Sequence, residues 1–189
     1  MTLLFQESLD EHRTLFANIT NLAPFVEQAV LAISGSLKVG NKLMLCGNGG
    51  SAADSQHIAA ELTGRFINDR QPLAAIALST DSSALTCIAN DYSFDDIFSR
   101  QVRGLGRMGD CLLAISTSGS SINVIRAVEV ASSLGIYTIG LLGRDGGQLK
   151  SLCDLSIIVD CYTTARIQEA HIFIGHTICG MVEIEMGLA

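Results

Sequence analysis

The stretch that most restricts the fold is residues 42–66, KLMLCGNGGSAADSQHIAAELTGRF. The apolar run at 43–46 has the length of a buried strand. The chain then breaks into Gly47-Asn48-Gly49-Gly50-Ser51. Glycines there admit positive φ and let a bound group approach the main chain. From Ala52 the pattern turns helical, with Ala53, Ile58, Ala59, Ala60 and Leu62. A strand, a glycine turn and a helix N-terminus in that order form an anion site, because N–H groups and the helix dipole point at one spot. The same helix carries His57 and Glu61, four residues apart and so on one face. Such a pair is either a solvated ion pair or a titratable couple facing an enclosed space, and the apolar residues around it favour the second. The loop is neither GxGxxG nor a P-loop ending in Lys-Ser/Thr. Alone, it fits a tight strand–helix connection as well as a phosphate cradle.

The rest of the chain repeats the alternation. Two amphipathic helices come first. One spans 4–19 with Phe5, Leu9, Phe16 and Ile19 on one side, and one starts at Asn21 or Pro24 and ends at Gly40. Further strands are predicted at 73–78, 111–115, 137–142 and 155–159. Helices are predicted at 84–89, 94–105, 123–134 and 164–186. Strands alternating with helices imply a parallel sheet with right-handed crossovers. The expectation is a three-layer, doubly wound α/β sandwich with a mainly parallel five-stranded sheet. Residues 1–189 would form one domain, with 1–38 as extra helices for oligomer packing. After the 111–115 strand comes Ser116-Thr117-Ser118-Gly119-Ser120-Ser121, again between a strand and a helix. It is either a well-capped loop or a second cradle with hydroxyl donors. Ligands on such sheets bind at the carboxyl ends of strands, where both loops fall. The long final helix is interrupted by Gln168, Glu169, His171 and His176.

Composition narrows the function classes. Of the residues, 48% are hydrophobic and only 16% charged, against about 25% charged in an average domain. That excess predicts burial in an oligomer. A net charge of −7 argues against a nucleic-acid surface. No apolar run reaches membrane-spanning length, so no membrane partner is expected. The first residues, MTLLFQESLDEHR, carry acids where a signal peptide has basic residues. The six cysteines include no C-x-x-C pair and read as reduced, structural residues of a cytoplasmic protein.

Taken together, CGNGGSAADSQHIAAELTGRF, IANDYSFDDIFSRQV, LLAISTSGSSINVIRAV, GLLGRDGG and ARIQEAHIFIGHTI resemble the phosphoheptose isomerases of the sugar isomerase (SIS) domain superfamily, over nearly the whole chain. The resemblance implies a flavodoxin-like SIS domain in a homotetramer with active sites at subunit interfaces. It implies isomerisation of sedoheptulose 7-phosphate to D-glycero-D-manno-heptose 7-phosphate, the first step toward nucleotide-activated heptose for lipopolysaccharide and other surface glycans. It places substrate against Asn48, Gly49, Gly50, Ser51, Glu61, Asn90, Asp91, Ser116, Thr117, Ser118, Ser121 and Gln168. The acid/base pair falls on Glu61 and His176, and one zinc ion per subunit on His57, Glu61, Gln168 and His176. Ala165 departs from relatives that carry aspartate there, which puts a sugar-hydroxyl contact in question. The competing reading is a non-catalytic SIS protein that binds the bacterial replication initiator. That group lacks the glutamate and histidine found here at positions 61 and 176.

Overall fold

The computed structural model describes residues 2–189. Met1, counted in the expected N-terminal segment, lies outside them. Five strands, β1 (Leu43–Gly47), β2 (Ala75–Ala77), β3 (Cys111–Ser116), β4 (Tyr137–Gly143) and β5 (Leu155–Val159), form one sheet in the order β2-β1-β3-β4-β5, with every pairing parallel. This is the flavodoxin-like order, whose switch point lies between β1 and β3.

Side chains alternate along each strand, and both faces of the sheet are covered. Leu43, Leu45, Leu113, Ile115, Leu141 and Ile157 pack against α2 (Ala23–Lys38), α3 (Gly50–Thr63) and α8 (Thr164–Glu185). Met44, Cys46, Leu112, Ala114 and Leu142 pack against α4 (Ser82–Asp91), α5 (Ser99–Leu105), α6 (Ile122–Ser133) and α7 (Leu149–Leu152). Double burial explains why these strands read as continuous apolar runs. All six cysteines are unbonded, and burial pushes the Cys111 thiol up to about 11 and the Cys179 thiol up to about 12.

Three expectations change. The second strand shrinks to Ala75–Ala77, because the Leu73 amide donates to the Leu62 carbonyl at the end of α3 instead of joining the ladder. The predicted helix at 94–105 splits into a 3-10 turn, Phe94–Asp96, and α5. Ser93 caps the turn, the Ser99 hydroxyl bonds the Asp96 carbonyl, and Arg126 of α6 pairs with Asp95 and Asp96. These local side-chain bonds compete with a continuous helix. The short α7 was absent from the sequence reading.

The first helix, α1 (Thr2–Asn18), buries no residue. Leu3, Leu4 and Phe5 are exposed, while Leu15 and Phe16 reach the core edge. It is tied to α8 by polar bonds: Arg166 donates to the Ser8 carbonyl, and His12 Nδ1 lies 2.8 Å from Oε2 of Glu169, which Arg166 also pairs within α8.

Candidate active site

The two loops singled out in the sequence leave adjacent strands, which are in register at Gly47 and Ile115. Their helices depart to opposite faces, α3 with the first core cluster and α6 with the second. The switch-point crevice therefore opens between two helix N-termini. Gly49 precedes α3 at φ 55°, and no side chain caps that helix. Ser121 precedes α6 but does not cap it; its hydroxyl lies 3.3 Å from the Ser116 hydroxyl, which in turn accepts the Gly119 N–H at 3.1 Å. Two uncapped N-termini with hydroxyls beside them suit a phosphate without any Arg or Lys. The Ser118 hydroxyl is engaged locally, accepting the Ser120 N–H. Gly119, at φ 65°, abuts the Gly146–Gly147 turn so closely that a Cβ would collide with the main chain.

Gln168 enters from α8. Its amide rests on Gly50, where any Cβ would collide with it. Asn48 exchanges two amide hydrogen bonds, both 2.8 Å, with Asn123 on α6. The sequence reading missed Asn123, and its signal was a polar residue facing inward in an apolar helix. Asn90 and Asp91 close α4; among the described residues they bond to each other and to Cys87, not to the loops.

The titratable groups gather farther along α3. His57 Nε2 stands 2.8 Å from His176 Nε2 and 3.2 Å from Glu61 Oε1. Donor atoms of the three lie within 4.8 Å of one another, all from one chain. Two imidazole nitrogens converging on a carboxylate match the donor types of a zinc site, so the residues fit the metal. Gln168 lies on the same face of α8 as His176 but is placed over Gly50. Asp54 sits one turn before His57; burial holds its carboxyl above the ordinary value, and the nearby His57 offsets only part of that rise.

Below this cluster, Glu183 of α8 and Arg70 form a pair with side chains 1% and 2% exposed and Nε–Oε1 at 2.7 Å. Burial pushes the Glu183 carboxyl up, but N–H groups of Phe66 and Ile67 and the Arg70 guanidinium more than reverse this, leaving it below its ordinary value. Five residues before His176 on the same helix, His171 is fully buried in the core, and burial drives its pKa down to about 4.

A parallel sheet with small-residue loops at its switch point defines a class, and the SIS domain family model matches residues 9–143. The chain is 51% identical over 180 residues to the phosphoheptose isomerase of Campylobacter concisus, covering 95% of each. It is 53% identical over 179 residues to that of Nitratiruptor sp., covering 94% of this chain and 96% of the other. Among solved structures it resembles phosphoheptose isomerase from Neisseria gonorrhoeae (TM-score 0.86, 44% identity, 97% and 96% covered). It also resembles one from Francisella tularensis (TM-score 0.90, 35% identity, 95% and 96% covered). The chain belongs to the phosphoheptose isomerase family of SIS domain proteins.

Proposed function

We propose that this chain is an aldose–ketose isomerase that converts sedoheptulose 7-phosphate to D-glycero-D-manno-heptose 7-phosphate, at the head of nucleotide-heptose synthesis for surface glycans. The observation that carries this is the meeting of Glu61 with His57 and His176, the first two standing on the helix that leaves β1, next to the strand β3 from which the serine loop leaves. From Gly50 to Glu61 is eleven residues, about 16 Å along the helix axis. Less the reach of the side chains, that separation suits an extended sugar with its phosphate at one end and its reacting carbons at the other.

In this reading Ser51, Ser116, Thr117, Ser118 and Ser121, with the helix N-termini, grip the phosphate. Asn48, Gly49, Gly50, Asn90, Asp91 and Gln168 orient the chain of hydroxyls. Binding energy from the phosphate positions C1 and C2. Glu61 and His176 then move one proton from C1 to C2 through an enediol, while a second leaves O1 and arrives at O2. His57, Glu61, Gln168 and His176 would hold one zinc ion per subunit. When bound, it supplies Lewis-acid polarisation of the substrate oxygens.

We read residues 1–189 as one domain assembling into a cytoplasmic homotetramer. The exposed Leu3, Leu4 and Phe5 of α1 support assembly, as does an apolar groove of about 290 Å³ lined by Phe16, Ile19, Val26, Phe173 and Met181. Among the described residues no helix is long and apolar enough to cross a membrane. The test is incubation with sedoheptulose 7-phosphate in D₂O, followed by NMR. The expected result is an aldose phosphate carrying deuterium at C2. Absence of aldose from folded protein supplied with zinc would overturn the reading.

A further inference from the structure

The mechanism uses His176 but does not say what fixes its ring. His176, Gly180 and Glu183 lie at spacings of four and three residues on α8, so they form one stripe along the helix. The chain leaving α3 folds back across that stripe. The Glu183 carboxylate accepts the main-chain N–H groups of Phe66 (3.1 Å) and Ile67 (3.4 Å). The Phe66 ring then stacks on the His176 imidazole, with centroids 5.6 Å apart and planes 25° apart. This lies within the range of a favourable offset stack. Gly180 leaves room for the ring, since a Cβ there would stand 3.2 Å from Phe66 Cε1. The His176 ring also meets His57 edge-on, with centroids 4.9 Å apart.

Arg70 joins the same arrangement to the opposite helix. Its guanidinium donates to the carbonyls of Glu61 (2.9 Å), Leu62 (2.8 Å) and Gly64 (3.2 Å) while pairing with Glu183. The ordinary purpose of such bonds is to satisfy the open carbonyls at a helix end. That purpose accounts for Arg70 and Glu183 but leaves unexplained an aromatic ring seated on an imidazole in a slot where even a Cβ at position 180 would press on it.

We propose that Phe66 is a positioning residue for the isomerisation. Anchored by Glu183, its ring fixes the orientation of His176 so that Nε2 stays directed at His57 and Glu61. The inference rests on the isomerase reading for its kinetic consequence, but the ring contact can be followed without turnover.

The experiment compares Phe66→Leu, Phe66→Tyr and Gly180→Ala with the native protein. Measurements are kcat and KM for sedoheptulose 7-phosphate, thermal melting, and side-chain ¹H–¹⁵N NMR of the histidines, with His176 assigned by its absence in His176→Gln. Phe66→Leu is expected to lower kcat about tenfold, a modest share of what misplacing a reacting group costs, with KM within about twofold. The His176 resonance should move while those of His12 and His171 stay. Phe66→Tyr, which keeps the ring, should restore both. Gly180→Ala separates positioning from stability, because alanine raises helix propensity while pressing on the ring. Positioning predicts lower kcat at an equal or higher melting temperature. Unchanged kcat in both Phe66→Leu and Gly180→Ala would overturn the proposal. So would a kcat loss that tracks melting temperature with the His176 resonance unmoved. If native protein lacks isomerase activity yet Phe66→Leu shifts the His176 resonance, the isomerase reading fails and the ring contact stands.

Discussion

At the ends of β1 and β3 the polar groups are main chain and hydroxyls, held by glycines and by the starts of two helices. Along the seam between α3 and α8 they are imidazoles and carboxylates, held by packing between helices whose residues lie more than a hundred positions apart. In the proposed reading the loops bind charge without titrating. In the same reading the seam transfers protons, with the His57 side chain half exposed at the edge of an apolar surface. Gripping and proton transfer are then kept in different materials, and either one can be damaged alone.

The sharpest break comes from the seam. Glu61→Gln and His176→Gln should each lower kcat by about 10²–10⁴-fold, the range for a positioned acid or base, while the protein stays folded and binds substrate. The double variant should lose less than the product of the two, since groups acting together are not additive. Full activity in either single variant, measured by steady-state kinetics, would remove the seam from the chemistry.

His171 sharpens the contrast within α8. Its pKa of about 4 when folded lies below the ordinary value of 6.5. The unfolded chain therefore binds more protons between those values, and stability falls as pH drops from about 6.5 to about 4. The loss approaches roughly 3 kcal/mol. Denaturant titrations across that window should show His171→Leu losing less than the native protein. Parallel pH profiles would mean that other groups dominate.

The smallest effect belongs to the loops. Ser116→Ala combined with Ser121→Ala should raise KM about 10- to 100-fold, the worth of one or two hydrogen bonds to a charged group, with kcat changed less. Equal turnover of unphosphorylated sedoheptulose by the native protein would show that nothing grips the phosphate.

The same division explains what could be read beforehand. The loops were legible because a strand, its glycines or serines and the next helix are contiguous, and because buried parallel strands are unbroken apolar runs. His57 and Glu61 were legible as a pair through helical spacing. That His176 joins them within one chain was not, since nothing in the sequence states how α8 lies on α3. Asn48 with Asn123, Phe66 with His176 and Arg70 with Glu183 are similarly distant pairs with no periodic trace. The shortened β2 and the split before α5 were missed for another reason. The Leu73 amide decides the first, and the Ser93 cap, the Ser99 hydroxyl and the Arg126 pairs decide the second, against local propensity.

Ser121 sits where a serine ordinarily stabilises the helix that follows, yet its hydroxyl is spent on Ser116. A missing side-chain cap typically costs about 0.5–2 kcal/mol, but only a few tenths where glycine takes the position, as Gly49 does before α3. An anion seated between the two helices would meet the positive ends of both helix dipoles, so folding and ligand concentration would be thermodynamically linked. Inorganic phosphate at 100 times its dissociation constant would add about 2.7 kcal/mol, and the melting temperature should climb with phosphate but not with chloride at matched ionic strength. In this protein the substrate's charged end would double as a piece of the scaffold.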